Sequence, residues 1–191
     1  REFGLGKKLG IDIYGETDGF LPTRQWRKKT TGEQWYIGDT YHLSIGQGDI
    51  LVTPLQIAML TATIANNGKL FQPYLIKEII NSLGKSKEIK PVIIKQNVID
   101  EKYLKVVQQG LRAAVTQGSA RSLSGLPIDV AGKTGTAQVA NKKSHAWFTC
   151  YAPYDQPTIA LTILIENSGE GSAVSAPVAR DVLQWYFTRE R

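Results

Sequence analysis

The chain alternates between tracts with a clear hydrophobic period and tracts punctuated by glycine. Residues 54–65, from Pro54-Leu55-Gln56-Ile57 to Thr63-Ile64-Ala65, are apolar nearly all round a helical wheel, which predicts a buried helix. Its start is marked by Thr53 as a side-chain cap, Pro54 at the first helical position, and Gln56 where a capping box closes. Asn66-Asn67-Gly68 stops it. Residues 101–116 predict a second helix behind the cap Asp100, with Tyr103, Leu104, Val107, Leu111 and Val115 on one face and Gly118-Ser119-Ala120 at its end. Residues 173–187 predict a third, with Val174, Val178, Val182, Leu183 and Trp185 as packing residues. Between the second and third helices lie β-forming runs at residues 129–140, 146–151 and 158–166, joined by short turns, as in an antiparallel meander.

The remaining tracts are weaker. Residues 69–99 mix β-branched residues with charges (Leu75-Ile76-Lys77-Glu78-Ile79-Ile80, Val92-Ile93-Ile94) and predict peripheral strands joined by a polar loop over residues 81–90. Residues 1–40 are dense in glycine and predict loops and short strands, with Trp26, Trp35 and Tyr36 as loop anchors or as the lining of a groove. The order of loops, helix, small strands, helix, antiparallel sheet and helix predicts an α+β fold in which helices cover an antiparallel sheet.

Composition adds bounds. A chain of 191 residues, 42% hydrophobic and 21% charged, is long enough for one domain with a real core. Its net charge of +6 favours anionic partners in general. No basic run is interleaved with aromatics as a nucleic-acid groove requires, so no nucleic-acid partner is expected. Arg24, Arg27, Lys28 and Lys29 cluster between Pro22 and a Thr-Thr-Gly turn and read as a solvated loop. The single cysteine, Cys150, excludes an internal disulfide and reads as a small core residue in an apolar run. With His42 and His145 far from it in sequence there is no metal-ligand pattern, and no cofactor is expected. No apolar run approaches the ~18 residues of a membrane span.

The chemistry concentrates in Asp129-Val130-Ala131-Gly132-Lys133-Thr134-Gly135-Thr136-Ala137-Gln138-Val139-Ala140. The β-forming flanks and small-residue middle predict a strand, and glycine inside a strand marks the close approach of a ligand or another backbone. A lysine, two hydroxyls and bare backbone can bind an anion and present peptide N–H groups together. A K-T-G strand of this kind is one of three elements of active-serine penicillin-binding proteins and serine β-lactamases.

The rest of the chain extends that likeness. Gly4-Leu5-Gly6-Lys7, Gly10-Ile11-Asp12, Gly15-Glu16, Gly19-Phe20-Leu21-Pro22-Thr23, Trp35-Tyr36-x-Gly38-Asp39-Thr40, Ser44-Ile45-Gly46-Gln47-Gly48, Thr53-Pro54-Leu55-Gln56, Ile64-Ala65-Asn66-Asn67-Gly68 and Lys133-Thr134-Gly135-Thr136-Ala137-Gln138, in that order, resemble class B penicillin-binding proteins over nearly the whole chain. The Trp35-Tyr36 and Gly46-Gln47-Gly48 forms resemble the penicillin-binding protein 2 type, the elongation D,D-transpeptidase. The division type more often carries another residue in place of Gln47. The resemblance implies a penicillin-binding, serine β-lactamase-like fold and acyl transfer. A serine attacks the D-Ala-D-Ala end of a peptidoglycan stem peptide, D-alanine leaves, and the acyl group passes to an amine of a neighbouring stem. β-Lactams are caught at the same step.

By that resemblance Lys133 supplies positive charge and polarises the proton network, and the Thr134 and Thr136 hydroxyls hold the substrate carboxylate. The Thr136 N–H is an oxyanion donor, and Gly135 lets the substrate lie close. Expected partners are stem peptides, β-lactams, a membrane glycosyltransferase and other proteins of the elongation complex. The expected location is the extracytoplasmic face of the cytoplasmic membrane, with an anchor N-terminal to this chain. Asp39, Thr40 and Gln47 are expected to serve structure, satisfying backbone as buried polar groups on glycine turns. His145 reads as a strand-end surface residue, Trp147 as core or groove wall, and Glu166 as solvated.

The family's nucleophile belongs to a Ser-x-x-Lys that opens a buried helix, followed by Ser-x-Asn or Ser-x-Asp. Here the one Ser-x-x-Lys, Ser82-Leu83-Gly84-Lys85, lies in a polar loop and reads as chance, and no Ser-x-Asn or Ser-x-Asp occurs. Residues 1–191 are therefore expected to be the C-terminal portion of one transpeptidase domain, carrying the K-T-G wall without the nucleophile and inactive alone. The opening Arg1-Glu2-Phe3-Gly4-Leu5-Gly6 reads as the end of a helix, in line with that expectation. Rival readings are a non-catalytic β-lactam-sensing or peptidoglycan-binding domain on the same scaffold, a basic nucleic-acid module, and a serine β-lactamase, which would need a water-activating base as well.

Overall fold

The computed structural model describes residues 1–189. Its centre is a three-stranded antiparallel sheet in the order β5 (Ala131–Ala137), β6 (His145–Ala152), β7 (Ile159–Ile165), as the meander pattern predicts. Facing residues in register point to the same side of such a sheet, and sides alternate along each strand. Thr134 faces Phe148 and Gly132 faces Cys150 on one side, while Lys133 faces Thr149 and Gly135 faces Trp147 on the other.

Helix α5 (Ser175–Thr188) covers the Phe148 side. There Phe148, Cys150 and Ala152 pack with Ala176, Ala179 and Leu183 in the main core. Leu183 is buried as expected, but Val178 (40% exposed) and Trp185 (61%) look outward. The helix meets the sheet through alanines, which permit a closer approach than a valine face would.

Helix α3 (Pro54–Ala65) lies over β6 and β7 on the opposite side. Its cap is the one read from the residues: Thr53 Oγ1 accepts from Gln56 N–H (3.1 Å) and Gln56 Oε1 accepts from Thr53 N–H (3.0 Å). Thr61, Thr63, Ile64 and Ala65 are buried, and its other apolar residues are half-buried. The contact with the sheet is partly polar. Thr149 Oγ1 lies 2.6 Å from Thr61 Oγ1 and 2.7 Å from Thr162 Oγ1, a chain of hydroxyls joining helix to sheet.

Helix α4 (Glu101–Thr116) has the expected bounds and the Asp100 cap. Its inward face is rotated from the expected one. Leu104 and Val115 are buried, whereas Tyr103 (54% exposed) and Val107 (42%) lie on the solvent side. The places between are taken by Gln108, which donates to Ile64 O (2.8 Å), and Arg112, which donates to Val130 O (2.9 Å). These long side chains satisfy backbone ends of α3 and β5, so polar residues share the inward face with Leu104, Leu111 and Val115.

The N-terminal tract holds two helices that glycine density hid. Helix α1 (Arg24–Thr31) runs from a Thr23 cap to a left-handed Gly32, and helix α2 (Ile37–Ser44) follows. The cluster Arg24, Arg27, Lys28 and Lys29 is thus on a helix, not in a loop. Trp26 does anchor, edge-on to Phe20 at 4.8 Å between centroids. Peripheral strands β1 (Leu70–Phe71) and β4 (Ile93–Lys95) pair, as do β2 (Glu78–Ile80) and β3 (Ser86–Glu88). The tract 81–90, read as a loop, therefore contains a strand. Ser82 sits in its exposed turn, where Asn81 Oδ1 accepts from Leu83 and Lys85 N–H.

Candidate active site

Strand β5 forms one edge of the sheet. In an antiparallel strand the N–H and C=O of one residue point to the same edge, and edges alternate with residues. Lys133 Nζ donates to Thr134 O (2.6 Å) and Gln47 Nε2 donates to Thr136 O (3.0 Å). The Thr134 and Thr136 peptide groups therefore face the outer edge, away from β6, and this alternation puts the Thr136 N–H there as well. An edge strand with outward N–H groups is a ready template for an extended peptide.

The side chains divide between the two faces. Lys133 is exposed on the α3 side and bends its ammonium to the outer edge. Thr134 and Thr136 point to the α5 side. Thr136 is exposed, and Thr134 is buried with its hydroxyl 2.6 Å from Ser119 Oγ, just beyond the end of α4. Ser119 was read only as part of a helix stop, and its place beside Thr134 has no sequence signal. Gly135 is confined from both sides. A Cβ there would stand 3.1 Å from Trp147 Cβ, while the backbone of Gly171 lies so close beneath that a side chain at Gly171 would overlap the Gly135 peptide.

The motif residues near the strand have definite tasks. Asp39 Oδ2 accepts from Tyr36 N–H (2.8 Å) and Oδ1 pairs with Arg27 Nη1 (3.1 Å), so Asp39 ties α2 to α1. Thr40 Oγ1 accepts from Trp35 Nε1 (2.8 Å). These are structural roles as expected, but on half-exposed and exposed helix positions, not buried turns. Gln47 is half-buried and reaches β5 itself. His145 Nδ1 accepts from Asn167 N–H (3.0 Å) at the strand end, and Glu166 is exposed. Burial pushes the Cys150 thiol up to about 12, which makes it a core residue and no nucleophile.

Comparison with known proteins agrees with this geometry. The family model described as the penicillin-binding protein transpeptidase domain matches residues 1–184. The chain is 35% identical over 207 aligned residues to peptidoglycan D,D-transpeptidase MrdA of Haemophilus influenzae, covering 99% of this chain and 32% of that protein. The crystal structure of Pseudomonas aeruginosa PBP2 in complex with WCK 5153 superposes with a TM-score of 0.85 at 35% identity, covering 100% of this chain and 43% of that one. PBP2 in the complex with MreC from Helicobacter pylori follows with a TM-score of 0.79 at 34% identity, covering 98% of this chain and 34% of that one. This chain thus spans about a third of the length of the curated relative. With its meander, its K-T-G edge strand and this match over residues 1–184, the chain belongs to the penicillin-binding protein transpeptidase domain family and is similar throughout to the PBP2 (MrdA) type.

Proposed function

We propose that residues 1–191 are the C-terminal portion of a serine D,D-transpeptidase domain and form the wall that holds the donor stem peptide. The observation that carries this reading is the outer edge of β5, where the Lys133 ammonium and the Thr136 peptide group face the same open side. An extended D-Ala-D-Ala segment can lie along that edge, drawn by a cation and aligned by main-chain hydrogen bonds. The serine nucleophile belongs to a segment outside these residues. Its oxygen attacks the carbonyl of the penultimate D-alanine, and the developing oxyanion takes a hydrogen bond from the Thr136 N–H. The bond to the terminal D-alanine breaks, its amine leaves with a proton, and the acyl-serine is then attacked by an amine of a second stem. Lys133 stabilises negative charge in the cleft, and the exposed Thr136 hydroxyl orients the substrate carboxylate, a role the resemblance also gives to Thr134 but which its burial against Ser119 disfavours. Gly135 keeps the strand flat enough for close approach.

β-Lactams occupy the same edge as acylating mimics of the stem. The relatives' name, D,D-transpeptidase MrdA, supports the reaction, and the complex of H. pylori PBP2 with MreC supports a place among elongation proteins; a membrane glycosyltransferase is a further partner that the resemblance alone implies. Such work is done on the extracytoplasmic face of the cytoplasmic membrane, where an N-terminal anchor would hold the enzyme. The test is labelling of the full-length protein carrying this chain with a fluorescent penicillin. Lys133→Ala is expected to abolish labelling while the thermal midpoint stays; undiminished labelling would overturn the reading. The 191-residue chain alone is expected to keep its mass of 21.1 kDa after penicillin treatment. An adduct would place the nucleophile within these residues, with Ser82 the first to examine.

A further inference from the structure

We infer that Gln47 is a positioning residue for acylation, holding the Thr136 carbonyl from the open side of β5 and so steadying the strand end that carries the Thr136 N–H; this rests on the transpeptidase reading above. The contact joins residues 89 apart in sequence, at 3.0 Å, from the side-chain amide of Gln47 to Thr136 O. It is made at the end of an edge strand, one residue before Ala137 closes β5, where no further strand fixes the backbone. The residue before it is not free to relax either, since Gly135 pairs with Trp147 and is crowded by Gly171. The Thr136 N–H belongs to the Gly135–Thr136 peptide unit, which this pairing holds, whereas Thr136 O belongs to the next unit, toward Ala137; the Gln47 amide holds that second unit and so limits the twist at Thr136 beside the donor.

The support is itself anchored. Gln47 stands between Gly46 (φ 74°) and Gly48 (φ 84°), a left-handed pair of positions that favours glycine. Gln47 N–H donates to His42 O (2.9 Å) and Gly46 N–H to Leu43 O (3.1 Å), which fastens the loop to the end of α2. Asp39 and Arg27 then tie α2 to α1. The amide donates one N–H to a carbonyl that has two lone pairs, so a ligand N–H can still pair with the other. Gln47 touches neither the attacking serine nor the breaking bond in this account. Its effect should fall on the acylation step, where a shifted strand end beside the oxyanion donor costs most, and not on the initial encounter.

The experiment measures single-turnover penicillin acylation in the full-length protein, separating the dissociation constant from the acylation rate constant, with thermal midpoint and titrated active fraction alongside. Gln47→Met keeps the shape and removes the donor. It is expected to slow acylation roughly three- to tenfold, the net worth of one hydrogen bond, with dissociation constant, midpoint and active fraction unchanged. Gln47→Glu, which offers only acceptors beside a carbonyl and places a negative charge near a carboxylate site, is expected to slow acylation further and weaken binding. Parent-like acylation in Gln47→Met, with Lys133→Ala inactive, would overturn the inference alone. Faster acylation would overturn it too, by showing that the amide obstructs the edge. A lower midpoint and active fraction with a normal rate constant would leave Gln47 a merely structural residue and also overturn it. Acylation that survives Lys133→Ala would instead remove the transpeptidase reading of the strand.

Discussion

Gln56 joins three stretches of chain through one side chain that is 1% exposed. Its carbonyl closes the cap of α3, and its amide donates to Lys7 O (3.0 Å) and Asp18 O (2.8 Å). The N-terminal loops are thus tied to the helix that lies over the sheet. In Gln56→Leu the two loop carbonyls lose their donor while staying shielded from water, and the cap loses its return bond. The expected loss is about 2–3 kcal/mol of stability, read as a lower urea midpoint at unchanged slope. A loss within about 0.5 kcal/mol would mean that water replaces the amide freely. The residue also shows where sequence reading stops. A glutamine three positions after a threonine cap signals its local partner, but Lys7 and Asp18 lie 49 and 38 positions away and leave no trace in spacing. Gln47 is the same case at the candidate site: its motif was legible and its partner was not. The strand that carries Lys133, Thr134, Gly135 and Thr136 was legible from its β-forming flanks and small-residue middle, whereas the Ser119 contact depends on how α4 ends.

Among the elements, those with a strong period were read to within two or three residues. Helices α3 and α4 carry caps and stops as well as apolar spacing, and the β5–β7 meander carries short turns. Helices α1 and α2 were missed for a physical reason. Neither buries a residue, so neither has an apolar stripe, and α2 has glycine in its first turn. They are held by caps, by the Arg27–Asp39 pair and by the single contact of Trp26 with Phe20, not by an apolar face. The β2–β3 hairpin is likewise exposed throughout and depends on polar attachment. Asp12 supplies part of it by accepting from Leu75 N–H (2.7 Å) and Ile76 N–H (2.9 Å). The Ile76 bond, then the Leu75 bond, holds the Asp12 carboxyl below its ordinary 3.8. A depressed carboxylate contributes stability that is complete above its unfolded value and is lost as pH falls through the folded one. The amides of Leu75 and Ile76 should therefore lose protection from hydrogen exchange, relative to intrinsic rates, between about pH 5 and about pH 3. Asp12→Asn should lower that protection at neutral pH and flatten the acid step. An acid step of equal size in the Asn variant would show that another group holds this segment.

At the scale of the whole molecule, the sheet is covered on its two faces by different means: alanines of α5 on one side and threonine hydroxyls of α3 on the other. Cys150 lies on the α5 side of the central strand, fully buried and packed in the cluster that also takes residues from α4, α5, β6 and β7. Burial pushes its thiol up to about 12, so almost no thiolate exists at pH 8 and no reagent can reach the sulfur without movement of α5 or of the strands. Its reaction with a disulfide reagent therefore reports opening of this core. In native buffer, labelling should be slower than that of a free thiol by at least 10³-fold, on the order expected for an opening free energy above about 4 kcal/mol. Through a urea series the labelling rate should rise with the same slope as global unfolding followed by tryptophan emission. Leu183→Ala, which removes a buried contact of α5, should speed labelling by lowering stability about 2–5 kcal/mol. Fast labelling in native buffer with intact tryptophan signal would mean that α5 detaches by itself, and the cover over the Gly135–Gly171 contact would then be the least stable part of the site wall. Labelling that follows global unfolding instead makes the K-T-G strand, its glycine contact and its helix cover one cooperative unit.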